Sequence, residues 1–191
     1  VFNSQMHNKI LKKYYFINSF DPRHLNSLDK NILLIYRNYT EKIDENLIIK
    51  IKQYCKKNGR KIFLSNNFRL AIKLDLDGVY LPSFNRDFYS NSFKTKKKFK
   101  IIGSAHNLKD IKIKEAQNVQ ELFIGSLFKI KKTYLGIYKF KNLVKLTKTP
   151  VVALGGIKDS NLRILNLLTL KGFSGISYFR SQKKRASKRG P

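Results

Sequence analysis

Residues 32–65, ILLIYRNYTEKIDENLIIKIKQYCKKNGRKIFLS, set two short apolar runs on either side of an amphipathic stretch. The runs ILLIY (32–36) and KIFLS (61–65) have the length and composition of strands buried on both faces. Between them, residues 43–57 place Ile43, Leu47, Ile48, Ile51 and Cys55 at steps of three and four, on one face of a helix. Strand, helix, strand in that order predicts a parallel pair joined by a right-handed crossover. The alternation continues in both directions. Further strand-like runs are YYFIN (14–18), GVYL (78–81), KIIGS (100–104), LFIGS (122–126), VVALGG (151–156) and GISYF (175–179), which makes eight. Helical patterns recur at 107–117, where Asn107 is placed to cap, and at 158–170, where Asp159 or Ser160 is. Eight strands close a barrel, so the reading is α/β, a compact (β/α)8 TIM barrel. An open doubly wound sheet is the alternative, but no glycine-rich turn follows the first strand. FDPRHLNSLD (20–29) leaves room for only about two helical turns, so the first helix should be abbreviated.

The length of 191 residues suits one domain, and a composition 42% apolar and 13% aromatic suits a buried core. The expected organisation is an N-terminal extension (1–12), the barrel (13–180) and a basic disordered tail (181–191). No run approaches the ~18–20 apolar residues of a membrane span, and the N-terminal residues lack the apolar middle of a secretory signal. A lone Cys55 excludes an internal disulfide and a cysteine-built zinc site, which points to a reducing, cytoplasmic setting.

The charge has two readings. With 40 Lys+Arg against 12 Asp+Glu the formal net charge is +28, which suggests polyanion binding. Yet only 9 of the 40 basic residues are Arg, and Lys, Ile and Asn together supply 68 of 191 residues, as AT-rich coding would produce. There is no zinc-finger spacing, no aromatic RNA-binding signature and no clear helix-turn-helix. A nucleic-acid-binding protein is therefore the outlying alternative, and the composition leaves room for weak, non-specific polyanion binding.

In such barrels the active site lies at the C-terminal ends of the strands, with phosphate near the seventh and eighth. PVVALGGIKDSN (150–161) fits that role: a strand ends in Gly155-Gly156, whose missing side chains let backbone N–H groups approach an anion before a helix begins. The alternative reading is a tight turn that needs positive φ.

Five segments carry a resemblance in order and spacing: NGRKIFLSNNFRLAIKLDLDGVYLP, KIIGSAHN, LFIGSLF, TPVVALGGI and GFSGISYF. Together, over roughly residues 14–179, the chain resembles thiamine phosphate synthase and its sister branch, the TenI-like thiazole tautomerases. The resemblance implies a (β/α)8 fold and a phosphorylated small-molecule substrate in thiamine biosynthesis. The synthase joins an aminopyrimidine diphosphate to a thiazole phosphate and releases pyrophosphate, with Mg²⁺ bridging the diphosphate. The family's Gln-x-Arg-x-Lys diphosphate grip here keeps only Arg37. Its two metal carboxylates fall at Asn67, beside Asn66, and at Asn85, so no metal ligand is assigned. Mg²⁺ prefers anionic oxygen, so no cofactor is expected to be held tightly, with Asp87 as the nearest replacement carboxylate.

The Ser-x-His of the fifth strand is retained as Ser104-Ala105-His106. The resemblance gives His106 a role in proton transfer, which suits imidazole near neutral pH; packing at a strand end is the alternative. His106 and Arg37 are the catalytic candidates. The phosphate grip after the sixth strand becomes Lys129, Lys131, Lys132 and Thr133, and the serine expected after the last strand falls at Arg180-Ser181. The implied function is binding of a thiazole phosphate in thiamine biosynthesis, with coupling to the aminopyrimidine diphosphate as the activity that the missing carboxylates count against; a metal-independent tautomerase or a non-catalytic phosphate-binding barrel is the alternative.

Overall fold

The computed structural model describes residues 11–40, 42–129 and 134–187. Eight parallel strands close in sequence order: β1 (Lys12–Ile17), β2 (Ile32–Tyr36), β3 (Ile62–Ser65), β4 (Gly78–Leu81), β5 (Lys100–Ala105), β6 (Glu121–Gly125), β7 (Val151–Leu154) and β8 (Gly172–Ser174). Closure is the pairing of β1 with β8, where Lys12, Lys13 and Tyr14 face Gly172, Phe173 and Ser174. The interior is packed rather than open. Tyr14, Phe16, Ile35, Phe63, Tyr80, Ile102, Phe123 and Val152 form one cluster of inward side chains. Its aromatic members meet edge to face, as Tyr14 and Phe123 do at 4.9 Å.

The alternate residues face outward against the helices. These are α1 (Pro22–Asn26), α2 (Glu45–Lys57), α3 (Phe68–Lys73), α4 (Leu108–Ala116), α5 (Gly136–Lys145), α6 (Leu162–Asn166) and α7 (Ile176–Ser187). Four start on a side chain of Asp or Asn that accepts a free first-turn N–H: Asp21, Asp44, Asn67 and Asn107. α1 has five residues, the abbreviation that its short connection requires. α2 buries Ile48, Ile51 and Cys55. Burial pushes the Cys55 thiol up to about 12, so it is inert packing rather than a nucleophile. Arg60 is buried as well, donating to the carbonyls of Leu25, Leu28 and Asp29 at 2.7–2.8 Å and so closing the end of α1.

At the N-terminal end the barrel is plugged by charge. Glu121, 3% exposed, accepts from the Tyr14 hydroxyl and from Lys12, with Lys100 at 3.6 Å. Burial, then the charge of Glu121, holds the Tyr14 hydroxyl far above the ordinary phenol range, so it remains a donor.

Three expectations need correction. GISYF (175–179) is not the eighth strand: β8 is Gly172–Ser174, and Ile176 already opens α7. Closing the ring needs only three residues opposite Lys12–Tyr14, and the β-like composition of GISYF instead packs Phe179 as a helix residue against Tyr15 at 5.1 Å. α7 also runs to Ser187, so residues 181–187 continue a helix where a disordered tail was expected; Gln, Lys, Arg and Ala are good helix formers. Finally, Asp159 and Ser160 do not cap a helix over 158–170. They lie in a 3-10 turn, Asn161 accepts from the Lys158 N–H at 2.9 Å, and α6 has only five residues. Among the described residues no helix is long and apolar enough to cross a membrane.

Candidate active site

The floor of the C-terminal mouth is aromatic, and Arg37 lies directly on it. The residue follows β2, and its guanidinium stands 4.6 Å above the ring of inward-facing Phe16 and 5.9 Å from that of Tyr39. Such stacking holds a planar cation in place while leaving its N–H donors available to an anion. Tyr39 is fixed in turn by a hydrogen bond of 2.8 Å between its hydroxyl and Ser65 Oγ at the end of β3.

After β3 and β4 the amides are already engaged. Asn67 Oδ1 accepts from the Leu70 N–H at 3.0 Å and so caps α3. Asn85 Oδ1 accepts from Gln117 Nε2 at 3.0 Å and from the Asp87 N–H at 3.2 Å, while Asn85 Nδ2 donates to Asn66 Oδ1 at 2.9 Å. Asn66, Asn67, Arg69, Asn85 and Asp87 line a cleft of about 150 Å³. Within it Asp87 is the lone carboxylate, and among the described residues no three His, Cys, Asp or Glu gather as a metal would need. These residues do not fit a resident Mg²⁺. At the family's ligand positions the donors are neutral amides whose oxygens already accept N–H groups, and among the described residues of the cleft Asp87 alone adds a carboxylate.

The loop carrying Asn85 is held from below by a residue that the sequence did not mark. Lys114 of α4 is fully buried, its stem passing over Gly103, and its ammonium donates to Asn85 O at 2.6 Å and Gln117 Oε1 at 2.8 Å. Burial lowers its pKa to about 8. In the sequence it is one lysine among many, distinguished only by standing four residues after Asp110 on the buried face of α4.

His106 follows β5 and is exposed. Its Nδ1 lies 2.5 Å from Gly125 O at the end of β6. A carbonyl can only accept, so Nδ1 carries a proton, and in the neutral ring the lone pair is therefore on Nε2, the tautomer a general base needs. The His106 N–H donates to buried Asp110 at 3.1 Å, which fixes the backbone there. Ser104 is not available in the same way: it is buried in the barrel and hydrogen-bonds the Tyr80 hydroxyl. Lys129 is exposed in the loop after β6. Lys131, Lys132 and Thr133 lie outside the described residues.

After β7 both glycines adopt left-handed backbone, Gly155 at φ +93° and Gly156 at φ +70°. A Cβ on Gly155 would meet Ser126 Oγ at 2.6 Å, and one on Gly156 would meet Phe128 Cβ at 2.7 Å. The turn thus has a structural requirement of its own, close contact with the β6 loop. The helix expected immediately after it begins only at Leu162. Arg180 and Ser181 do not follow the last strand either. Both ride on α7, where Ser181 Oγ donates to Tyr178 O at 2.8 Å. Because β8 ends at Ser174, the residues at that mouth are Gly175, Ile176 and Ser177, the last exposed in the first turn of α7. A Cβ on Gly175 would lie 3.4 Å from that of Ile157, so the β7 turn and the start of α7 adjoin. Placing β8 three residues earlier is the signal that would have found Ser177.

A sequence profile of thiamine monophosphate synthase matches residues 32–179. The chain belongs to that family. A thiamine-phosphate synthase of Pelagibacter ubique is 31% identical, with 93% of each chain aligned. One from Persephonella marina is 30% identical over 64% of this chain and 60% of the relative. Among solved structures, a thiamine phosphate pyrophosphorylase from Pyrococcus furiosus superposes with a TM-score of 0.72 at 18% identity, covering 93% of this chain and 96% of that one. The latter is a likeness of fold. As a member of the thiamine monophosphate synthase family, the chain presents Arg37, His106 and the β7 turn at one mouth of the barrel, with amides in place of the two expected carboxylates.

Proposed function

We propose that the chain acts in thiamine biosynthesis at the C-terminal mouth of its barrel, on a phosphorylated thiazole, by the coupling reaction its relatives' name denotes. The thiazole nitrogen attacks the methylene carbon of an aminopyrimidine diphosphate, the N–C bond forms as the C–O bond breaks, and diphosphate departs with the electron pair. The observation that carries this reading is Arg37, held 4.6 Å above Phe16 at the centre of the mouth. A fixed guanidinium there meets the charge that develops on the leaving diphosphate. Lys129 adds charge from the β6 loop, and Lys131, Lys132 and Thr133 on the same segment are proposed to join it. The thiazole phosphate is assigned to the backbone N–H groups of Gly155 and Gly156 with Ser177 and the first turn of α7.

A second reading, thiazole tautomerisation, is favoured by one observation: the lone pair that the Gly125 carbonyl leaves on His106 Nε2. Proton transfer through imidazole requires no divalent ion.

Both reactions should be assayed on purified protein with Mg²⁺ and with chelator. Coupling should be slow and change little between the two conditions. Arg37→Ala should lower it by about a hundredfold or more. His106→Ala should abolish tautomerisation, leave coupling within a fewfold, and leave the melting curve in place because the side chain is exposed. A fast coupling rate that collapses under chelation would show a metal site, with Asp87 its first ligand. Absence of both reactions would leave a phosphate-binding barrel without catalysis.

A further inference from the structure

The face of the barrel opposite the candidate active site carries two clefts. One, of about 540 Å³, lies between the end of α2, the turn before β4 and the approach to β5, and is lined by Lys52, Lys56, Lys61, Lys96 and Lys98. The other, of about 240 Å³, is lined by Lys12, Lys30, Lys61 and Lys100 at or just before the starts of β1, β2, β3 and β5. They share Gly59, Arg60 and Lys61, so together they form one groove across the N-terminal ends of the strands. Among the described residues, nine basic side chains line it against two acidic ones, Asp75 and Asp77.

Much of that charge has a structural partner, and the remainder decides the matter. Asp75 takes Lys96 at 2.5 Å and Lys52 at 3.9 Å. Asp77 accepts from the Ile62 N–H, and buried Glu121 below holds Lys12 and Lys100. Arg60 is tied to backbone carbonyls, and Lys56 is accounted for by the negative end of α2. Lys30, Lys61 and Lys98 have none of these explanations. They are exposed, stand on connections rather than at helix ends, and form no ion pair among the described residues. A compositional excess of lysine would be placed where charges can spread apart over convex helix faces; here they converge on a concavity. The crowding is felt at Lys100, whose pKa is lowered by burial first and then by Lys12, with Lys61 adding to it.

A lone phosphate would neutralise only part of a groove this long, whereas a chain of linked phosphates follows it and releases several counterions at once. Single-strand nucleic-acid sites add aromatic platforms on which bases stack. The aromatic ring lining the larger cleft is Phe99, and it packs onto the core against Phe68, 5.7 Å between centroids. We propose that this groove binds a chain of linked phosphate groups, held by charge and blind to any base attached to it. The proposal is independent of the reaction at the other end of the barrel.

The test compares three proteins. Lys30→Glu, Lys61→Glu and Lys98→Glu together reverse the groove; Lys139→Glu, Lys141→Glu and Lys145→Glu together make the same change of net charge on exposed α5. Anisotropy is read with fluorescent inorganic polyphosphate and with a fluorescent single-stranded oligothymidylate, from about 50 to 200 mM chloride. Wild type should bind both, each probe should compete with the other, and affinity should fall steeply with salt. The groove variant should lose about tenfold or more for both probes at ~100 mM salt, and the α5 variant about twofold or less. Equal losses in the two variants would reduce the effect to net charge and overturn the proposal. So would failure of wild type to bind polyphosphate, or oligonucleotide binding that polyphosphate cannot displace. The six lysines are exposed, and unchanged far-UV circular dichroism with a cooperative melt in each variant checks that folding is retained.

Discussion

Asn67 shows how one residue can keep a fold while altering a chemistry. Its oxygen is occupied by the Leu70 N–H, and a carboxylate would cap α3 equally well, since Asp and Asn rank together as N-caps. Asn67→Asp should therefore leave stability within about 0.5 kcal/mol, whereas Asn67→Ala should cost about 1 kcal/mol by losing the cap. Denaturant midpoints at constant m would check both. The aspartate variant also places a second carboxylate in the cleft that Asp87 lines. Combined with Asn85→Asp it should make coupling respond to Mg²⁺ where the parent does not; a double variant indifferent to Mg²⁺ would show that more than ligand charge separates this site from its family. Gly156 is the opposite case, with little freedom to change. Gly156→Ala forces a Cβ to 2.7 Å from Phe128 at φ +70°, and should destabilise by about 1–3 kcal/mol. Loss of phosphate binding in that variant must be read beside its melting curve.

At the scale of elements, α4 and the β4 loop are joined by Lys114, and pH tests the joint. Its folded pKa of about 8 lies below the ordinary lysine value of 10.5. Below pH 8 the group is charged in both states, so burial destabilises the fold by the full amount. Between about 8 and 10.5 the unfolded chain binds the extra proton, so this group makes stability rise with pH. Lys114→Met should remove that rise, so the stability of wild type relative to the variant should climb with pH across the same window. A parallel pair of curves would mean the ammonium is hydrated in the folded state. The element scale is also where sequence reading succeeded and failed most clearly. ILLIY and GVYL are β2 and β4 to the residue, because a strand covered on both sides writes itself as an unbroken apolar run. GISYF has that composition too, but it belongs to α7. Only the ring-closing partner, Lys12–Tyr14, selects the three residues that become β8. That slip moved the expected strand end too, so the residues placed after it were Arg180 and Ser181 where the structure puts Gly175, Ile176 and Ser177. The positions of Arg37, Asn67 and His106 at the mouth were legible because each stands within two residues of the end of a well-marked strand. Lys114 was not, because nothing local separates a buried lysine from an exposed one.

Over the whole molecule the net charge of +28 is a folding term as well as a binding one. With 12 acidic residues, the described ion pairs Lys13–Asp29, Lys73–Glu45 and Lys112–Glu115 are surface contacts of the kind worth about 0–1 kcal/mol each. Against them stands repulsion among lysines over a body whose radius of gyration should be roughly 16 Å. At ~0.01 M salt the screening length is about 30 Å, so every lysine feels every other; at ~0.15 M it is about 8 Å, and only neighbours interact. Repulsion is long-ranged and is screened first, whereas a pair at 2.8–3.0 Å loses less. The expectation is therefore that sodium chloride raises the melting temperature steadily over this range, the reverse of a fold held by surface ion pairs. Chloride rather than phosphate or sulfate must be used, since a multivalent anion seated in the N-terminal groove would stabilise by binding and mimic screening. The Lys30, Lys61, Lys98 triple glutamate variant separates the two contributions. It should melt higher than wild type at low salt, with a shallower salt dependence, because the charge it removes is the most crowded. If wild type instead melts lower as chloride rises, the few ion pairs outweigh the many unpaired lysines, and the excess charge is not a cost to this fold.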